Sequence, residues 1–281
     1  MIKITECPRD AMQGIERFIP TELKVKYINT LLKVGFDVID FGSFVSHKAI
    51  PQLKDTSKVL SSLDLSQTKS QLLSIIANER GAYEAASHDE ISIIGFPFSV
   101  SEQFQLKNTN KTRDSALSDI QNIKLICDKS NKKLRVYISM GFGNPYGEPF
   151  SSDIVLRWAK KLLEIGVEEI ALSDTIGVAE PEIIESLFNL LVDKLDGIEI
   201  SAHFHSLSNS WEEKVKKAFG AGCVSFDSAI GGLGGCPLAE NRLVGNLATE
   251  NLVDFFSNRL GPDFNLENFQ ASVNLAKEIF S

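Results

Sequence analysis

The sequence predicts a TIM-type (β/α)8 barrel with an extra C-terminal helix, a single domain over residues 1–281. Three observations predict it. Helix-like stretches end at a glycine and are followed at once by a short β-rich run. These runs are largely apolar on both faces, as parallel strands covered by helices must be. About eight such runs alternate with helical patterns, and the chain length suits one barrel of roughly 250 residues.

The first run, Met1 to Thr5, reads directly as a strand. The clearest helix–strand unit follows. Pro20-Thr21-Glu22 opens a helix to Val34, with Leu23, Tyr27, Ile28, Leu31 and Leu32 at helical spacing. Gly35 stops it, and Phe36 to Asp40 is the second strand. Further strands are expected over Gln71–Ala77, Glu90–Ile94 and Leu134–Ser139. A second unit runs from Ser152 through Trp158, Leu162 and Leu163 to Gly166, then Val167 to Leu172. Ile198–His203 is the seventh strand. A third unit ends at Gly222, with Cys223 to Phe226 as the eighth strand. Asn265 to Ser281 reads as the additional helix. No Pro/Gly/Ser-rich linker divides the chain. A doubly wound open sheet is the alternative, but no GxGxxG opens a first helix to support it.

The net charge is −8, from 29 basic and 37 acidic residues. An acidic surface argues against nonspecific binding to nucleic acid or anionic membrane. A small anionic ligand stays compatible, because a basic pocket can sit inside an acidic protein. No run of about 18 apolar residues exists, so no membrane span is expected. Because the N-terminus reads as a strand, no targeting segment is expected, and a cytoplasmic location follows. Cys7, Cys127, Cys223 and Cys236 lack CxxC spacing, which disfavours a disulfide framework or a structural zinc site.

In a barrel of this kind the working residues lie at the C-terminal ends of strands and in the loops after them. Polar residues cluster there. Arg9 and Asp10 follow the first strand, Asp40 the second, Asp174 the sixth, and a glycine-rich run from Gly231 to Cys236 the eighth. His203 and His205 sit two apart on the seventh strand, where alternate side chains share a face. Both imidazoles can address one cation, although two ordinary packed histidines fit the pattern equally well. A carboxylate from the first strand could join them and leave positions open for substrate. Arg9 and Asp10 could also be a solvated ion pair on a surface turn. Cys236 could move with its glycine-rich loop and exchange a proton, or be a small buried residue after a tight turn.

Segments in order along the chain then resemble one family. They are Glu6-Cys7-Pro8-Arg9-Asp10-Ala11-Met12-Gln13, Ser43-Phe44-Val45-Ser46, Ser173-Asp174-Thr175-Ile176-Gly177-Val178, His203-Phe204-His205, Gly232-Leu233-Gly234-Gly235-Cys236-Pro237 and Gly245-Asn246-Leu247-Ala248-Thr249-Glu250. Together they resemble the 3-hydroxy-3-methylglutaryl-CoA (HMG-CoA) lyases, a branch of the metal-dependent TIM-barrel lyases and synthases. The resemblance implies cleavage of HMG-CoA to acetyl-CoA and acetoacetate, and a homodimer. It implies Asp10, His203, His205 and Asn246 as ligands of Mg2+ or Mn2+. It implies Arg9 as the donor to the enolate oxygen, Cys236 as the loop cysteine assisting proton transfer, and Asp40 and Asp174 as active-site acids. Lys107 and Arg135 are candidates for contacts with CoA phosphates. His203, Asp10 and Cys236 stay open as the group that protonates the carbanion.

The chain departs from the family pattern in places. Ser206-Leu207 follows the second histidine, Asp40 stands where Glu is usual, and Ala11-Met12 replaces Gly-Leu. The alternative is therefore a related lyase, aldolase or acyl-CoA condensing enzyme acting on another substrate. The condensing enzymes normally carry long C-terminal extensions, which disfavours them here.

Overall fold

The computed structural model describes residues 1–207, 209–235 and 244–280. Eight parallel strands close into a barrel in sequence order. They are β1 (Lys3–Glu6), β2 (Val38–Ser43), β3 (Gln71–Ile75), β4 (Ile91–Ser99), β5 (Lys133–Ser139), β6 (Glu169–Asp174), β7 (Glu199–Phe204) and β8 (Ser225–Ser228). Closure is made by β1 on β8, with Thr5 opposite Asp227 and Glu6 opposite Ser228.

The expected helix–glycine–strand units form. Helix Ser152–Ile165 ends with Gly166 at φ +93, where the chain turns back to donate from Val167 N to Leu162 O. A residue with a Cβ would be strained in that left-handed cap. Helix Thr21–Leu31 is shorter than its apolar spacing predicts, and the chain continues as turns to Gly35. β4 runs on to Ser99, through Gly95 and Pro97, well past the expected end at Ile94. Proline and glycine read as strand breakers in sequence, yet Pro97 keeps its place opposite Tyr137 in the ladder. The C-terminal helix, Leu266–Phe280, packs on helix Thr21–Leu31, with Phe280 edge-on to Tyr27.

Each strand sorts its side chains by parity. On β5, Leu134, Val136 and Ile138 face the helices and belong to the main apolar core. On β7, Phe204 turns outward against Phe142 and Phe188, so His203 and His205 on either side of it turn inward. The barrel interior is polar in an unusual degree. Thr5, Asp40, Arg135, Glu169, His203 and Asp227 are all buried there. No helix of the described residues is long and apolar enough to cross a membrane.

Candidate active site

A cavity of about 420 Å³ opens at the C-terminal end of the barrel. Arg9, Asp10, Gln13, Tyr137, His203 and His205 line it. A larger hollow of about 560 Å³ lies at the opposite end, lined by the first residues of the strands. Its charged groups are already paired, Lys3 with Glu199 and Lys133 with Glu169. The C-terminal cavity is therefore the candidate site, as barrel geometry requires.

Arg9 and Asp10 reach the cavity on the short helix Pro8–Gln13, which starts as soon as β1 ends. Proline at its first position fixes φ without losing a needed donor. The Arg9 guanidinium is held on two sides. Its Nε and Nη2 donate to Asp40 at 3.0 and 2.5 Å, and its Nη1 donates to Asp10 and to Gln13 at 2.9 Å each. Burial opposes the charge on Arg9, but Asp40 and Asp10 outweigh it and keep the group cationic. Burial pushes the Asp40 carboxyl up to about 6 while Arg9 pulls it down, so the pair is ionised at neutral pH. Asp40 thus grips Arg9 from behind and is not itself on the cavity wall. Burial also works on Asp10, but Arg9 and the two histidines hold its carboxyl below the usual range.

Asn246 completes the group from the far end of the sequence. Its Nδ2 donates to Asp10 Oδ2 at 2.6 Å and to Leu233 O at 2.7 Å, which leaves its amide oxygen for another partner. Asn246 also bridges to His205 in a short antiparallel contact. Gly234 makes this approach feasible. Its φ is +94, and a Cβ there would meet Asn246 Nδ2 and Asp10 O at 2.7 Å. The glycine-rich run is thus closely approached at this residue.

The two imidazoles stand edge-to-face with ring centres 5.2 Å apart. His203 Nδ1 lies 3.1 Å from Asp227 Oδ2. His205 Nδ1 is buried and has no hydrogen-bond partner among the described residues. Burial, with His203 nearby, lowers His205 to about 4, so it is neutral at neutral pH and keeps its lone pair. An orphaned imidazole nitrogen, a carboxylate and a free amide oxygen fit a hard-to-borderline divalent cation. Among the described residues, no three His, Cys, Asp or Glu side chains stand in a closed ligand cage. Both oxygens of Asp10 are engaged by Arg9, Gln13 and Asn246.

Two expected site residues are corrected. Arg135 does not reach the cavity. It lies four residues before the end of β5, roughly 13 Å below the mouth at strand rise. Its guanidinium is buried against Glu169 at 2.8 Å, Thr5 at 3.1 Å and Asp227 at 3.4 Å, so no CoA phosphate can take it. Asp174 turns away from the cavity. It accepts from Lys214 Nζ at 2.6 Å and from Val178 N and Ala179 N at 2.9 and 3.1 Å. Lys214 also donates to Gly177 O and His205 O, so the pair ties the loops after β6 and β7 together. Lys107 is exposed on helix Glu102–Thr109, over the Tyr146 ring at 4.6 Å, beside the cavity-lining Asn108 and Thr109. Cys236 lies outside the described residues. The other three cysteines are buried free thiols.

Sequence reading missed Asp227, Lys214 and Gln13 as parts of the site. The signal for the first was an acid in the short eighth strand, Ser225-Phe226-Asp227-Ser228. Gln13 stood in the quoted first segment, one turn after Arg9.

Known proteins resemble this chain over most of its length. The chain is 34% identical to the Bacillus subtilis hydroxymethylglutaryl-CoA lyase YngG over 88% of its own length and 81% of that protein's. A crystal structure of the Bacillus subtilis HMG-CoA lyase superposes with a TM-score of 0.91 at 31% identity, over 99% of this chain and 93% of that one. An HMG-CoA lyase from Acinetobacter baumannii, solved with coenzyme A and 3-methylmalate, gives 0.92 at 26% identity, over 100% and 91%. The HMGL-like family model matches residues 2–275, and on these grounds the chain belongs to the HMGL-like family, the family of the metal-dependent HMG-CoA lyases.

Proposed function

We propose that this protein is an HMG-CoA lyase that cleaves HMG-CoA to acetyl-CoA and acetoacetate. The observation that carries the reading is the convergence of Arg9, Asp10, His203 and His205 on one cavity wall, with a buried imidazole nitrogen left unpartnered.

The reaction is a retro-Claisen cleavage. The C3 hydroxyl loses its proton, the bond to the thioester-bearing carbon breaks, and an enolate oxygen develops charge. Asp10, His203, His205 and Asn246 would hold Mg2+ or Mn2+. A cation held there would supply Lewis-acid chemistry that lowers the hydroxyl pKa and would orient the substrate. Arg9 directs N–H groups at the developing enolate oxygen, and Asp40 holds it in that pose before the substrate arrives. Tyr137 closes the cavity floor beside His203, with ring centres 5.5 Å apart, and keeps bulk water from the carbanion. His203, Asp10 and Cys236 are the three candidates for the group that protonates the carbanion, to be separated by substitution. Lys107, at the cavity rim, supplies positive charge to the CoA phosphates. We propose a homodimer located in the cytoplasm, which light scattering and fractionation test.

The deciding experiment is a coupled assay for acetoacetate from HMG-CoA with Mg2+ or Mn2+, with and without a chelator. Formation that the chelator abolishes is expected. No product from HMG-CoA with either metal present, alongside turnover of another acyl-CoA or 2-oxo acid, would move the chain to a different substrate.

A further inference from the structure

Arg135, buried out of reach of any CoA phosphate, belongs to a line of buried charges that ends on His203. Asp227 is fully buried and sits opposite His203 in the β7–β8 ladder and opposite Thr5 in the β8–β1 ladder. One of its oxygens faces His203 Nδ1 at 3.1 Å, and the other faces Arg135 Nη1 at 3.4 Å. Arg135 Nε donates to Glu169 at 2.8 Å, and Glu169 accepts from Lys133 Nζ at 3.1 Å. Lys133 is half exposed at the N-terminal mouth, whereas Arg135, Glu169 and Asp227 see almost no water. Charges alternate along the line, as burial without collapse requires.

We propose that Asp227 is the positioning residue of the site: it fixes the tautomer and ring angle of His203, and Arg135, itself held by Glu169, keeps the Asp227 carboxylate pointed at the ring. The Asp227 oxygen that faces Nδ1 is an acceptor, which places the ring proton on Nδ1. Nε2 is then left with its lone pair for the cavity that His203 lines. A carboxylate behind a ligating histidine raises the basicity of the ligand and holds its plane, and losing such a partner typically costs about 10–100-fold in metal affinity. The polar barrel interior thereby has a function that begins at the end of the barrel opposite the chemistry. Arg135 suits this place because its planar fork spans Thr5, Asp227 and Glu169 at once, which a lysine cannot do.

The proposal rests on His203 being a metal ligand, so the test separates the two claims. Nitrogen-15 NMR of histidine-labelled, metal-free protein reads the tautomer of His203 without any metal. Asp227→Asn should convert a ring protonated at Nδ1 into a tautomer mixture, and Arg135→Lys should do so in part. Mn2+ titration of the same proteins should show affinity lower by about 10–100-fold in Asp227→Asn, with kcat for HMG-CoA falling more than KM rises. Arg135→Lys, which keeps the buried charge, is the variant to rely on if Asp227→Asn does not fold. An unchanged His203 tautomer in either folded variant overturns the proposal. Wild-type protein that binds no Mn2+ would remove the metal reading but leave the tautomer result to decide the positioning role.

Discussion

Asp10 and Asn246 stand 236 positions apart in the chain and share a hydrogen bond of 2.6 Å at the mouth of the barrel. That bond joins the helix after β1 to the segment after β8, which are neighbours because the barrel closes between those two strands. The closure is what gathers the donors for a cation.

The ligand set can be tested without catalysis. His205→Ala and Asp10→Asn should each weaken Mn2+ binding by more than about 100-fold, beyond the range seen for outer partners of ligands. Titration calorimetry or the EPR signal of free Mn2+ reads this. Affinity equal to wild type in both variants would falsify the assignment.

Arg9→Lys should lower kcat by roughly 10²–10³-fold with KM changed only a few-fold, the pattern for a donor that acts on transition-state charge. Lysine keeps the charge but cannot engage Asp40 and Asp10 together. Steady-state kinetics decides it. A rise in KM at constant kcat would assign Arg9 to ground-state binding instead.

Gly234→Ala should impair activity strongly while leaving the fold intact. The new methyl group would press on Asn246 Nδ2 and Asp10 O at a left-handed residue. Circular dichroism and the HMG-CoA assay on one preparation suffice. Full activity would mean that the loop base yields freely.

Lys214→Met should destabilise the protein by roughly 3–5 kcal/mol, because it leaves the buried Asp174 without its counter-charge. Lys214 and Asp174 are 5% and 1% exposed, so water does not replace the lost partner. Denaturant unfolding measures the loss. A change within the error of the extrapolation would show that the two loops do not depend on this pair.

Glu6 predicts a pH dependence of stability. Burial raises its carboxyl from an ordinary 4.5 to about 8, despite hydrogen bonds from Thr249 and Ile230 N. A raised acid binds its proton more tightly folded than unfolded. Its stabilisation is therefore complete below about pH 4.5 and is lost as the pH rises through about 8. Glu6→Gln keeps a neutral side chain of the same shape and should flatten the fall in Tm between those pH values by at least ~2–4 °C. Parallel melts across that range test it, and superimposable slopes for the two proteins would contradict the shift.

The periodicities in the sequence determined the barrel and most of the strands, because helical and β spacing are local properties of a buried face. The helix end at Gly166 was legible for the same reason, whereas the helices before Gly35 and Gly222 stop earlier, at Leu31 and Gly220. β4 was not, since Gly95 and Pro97 look like breakers and only the neighbouring strand shows that the ladder continues. The residue types of the site were legible as well: Arg9-Asp10, the His203–His205 pair and Asn246 stand in motifs that can be read in order along the chain. What each of them touches was decided by tertiary structure alone. The family resemblance offered Arg135 as a contact for CoA phosphates and Asp174 as an active-site acid. Depth along β5 put the first among buried acids, and Lys214 turned the second into its own loop. Asp227 carried almost no sequence signal, because its role depends on which strand closes against β7. Local patterns fix which elements form, whereas the partner of a buried charge is set by strand order, register and depth, which arise only when the barrel closes.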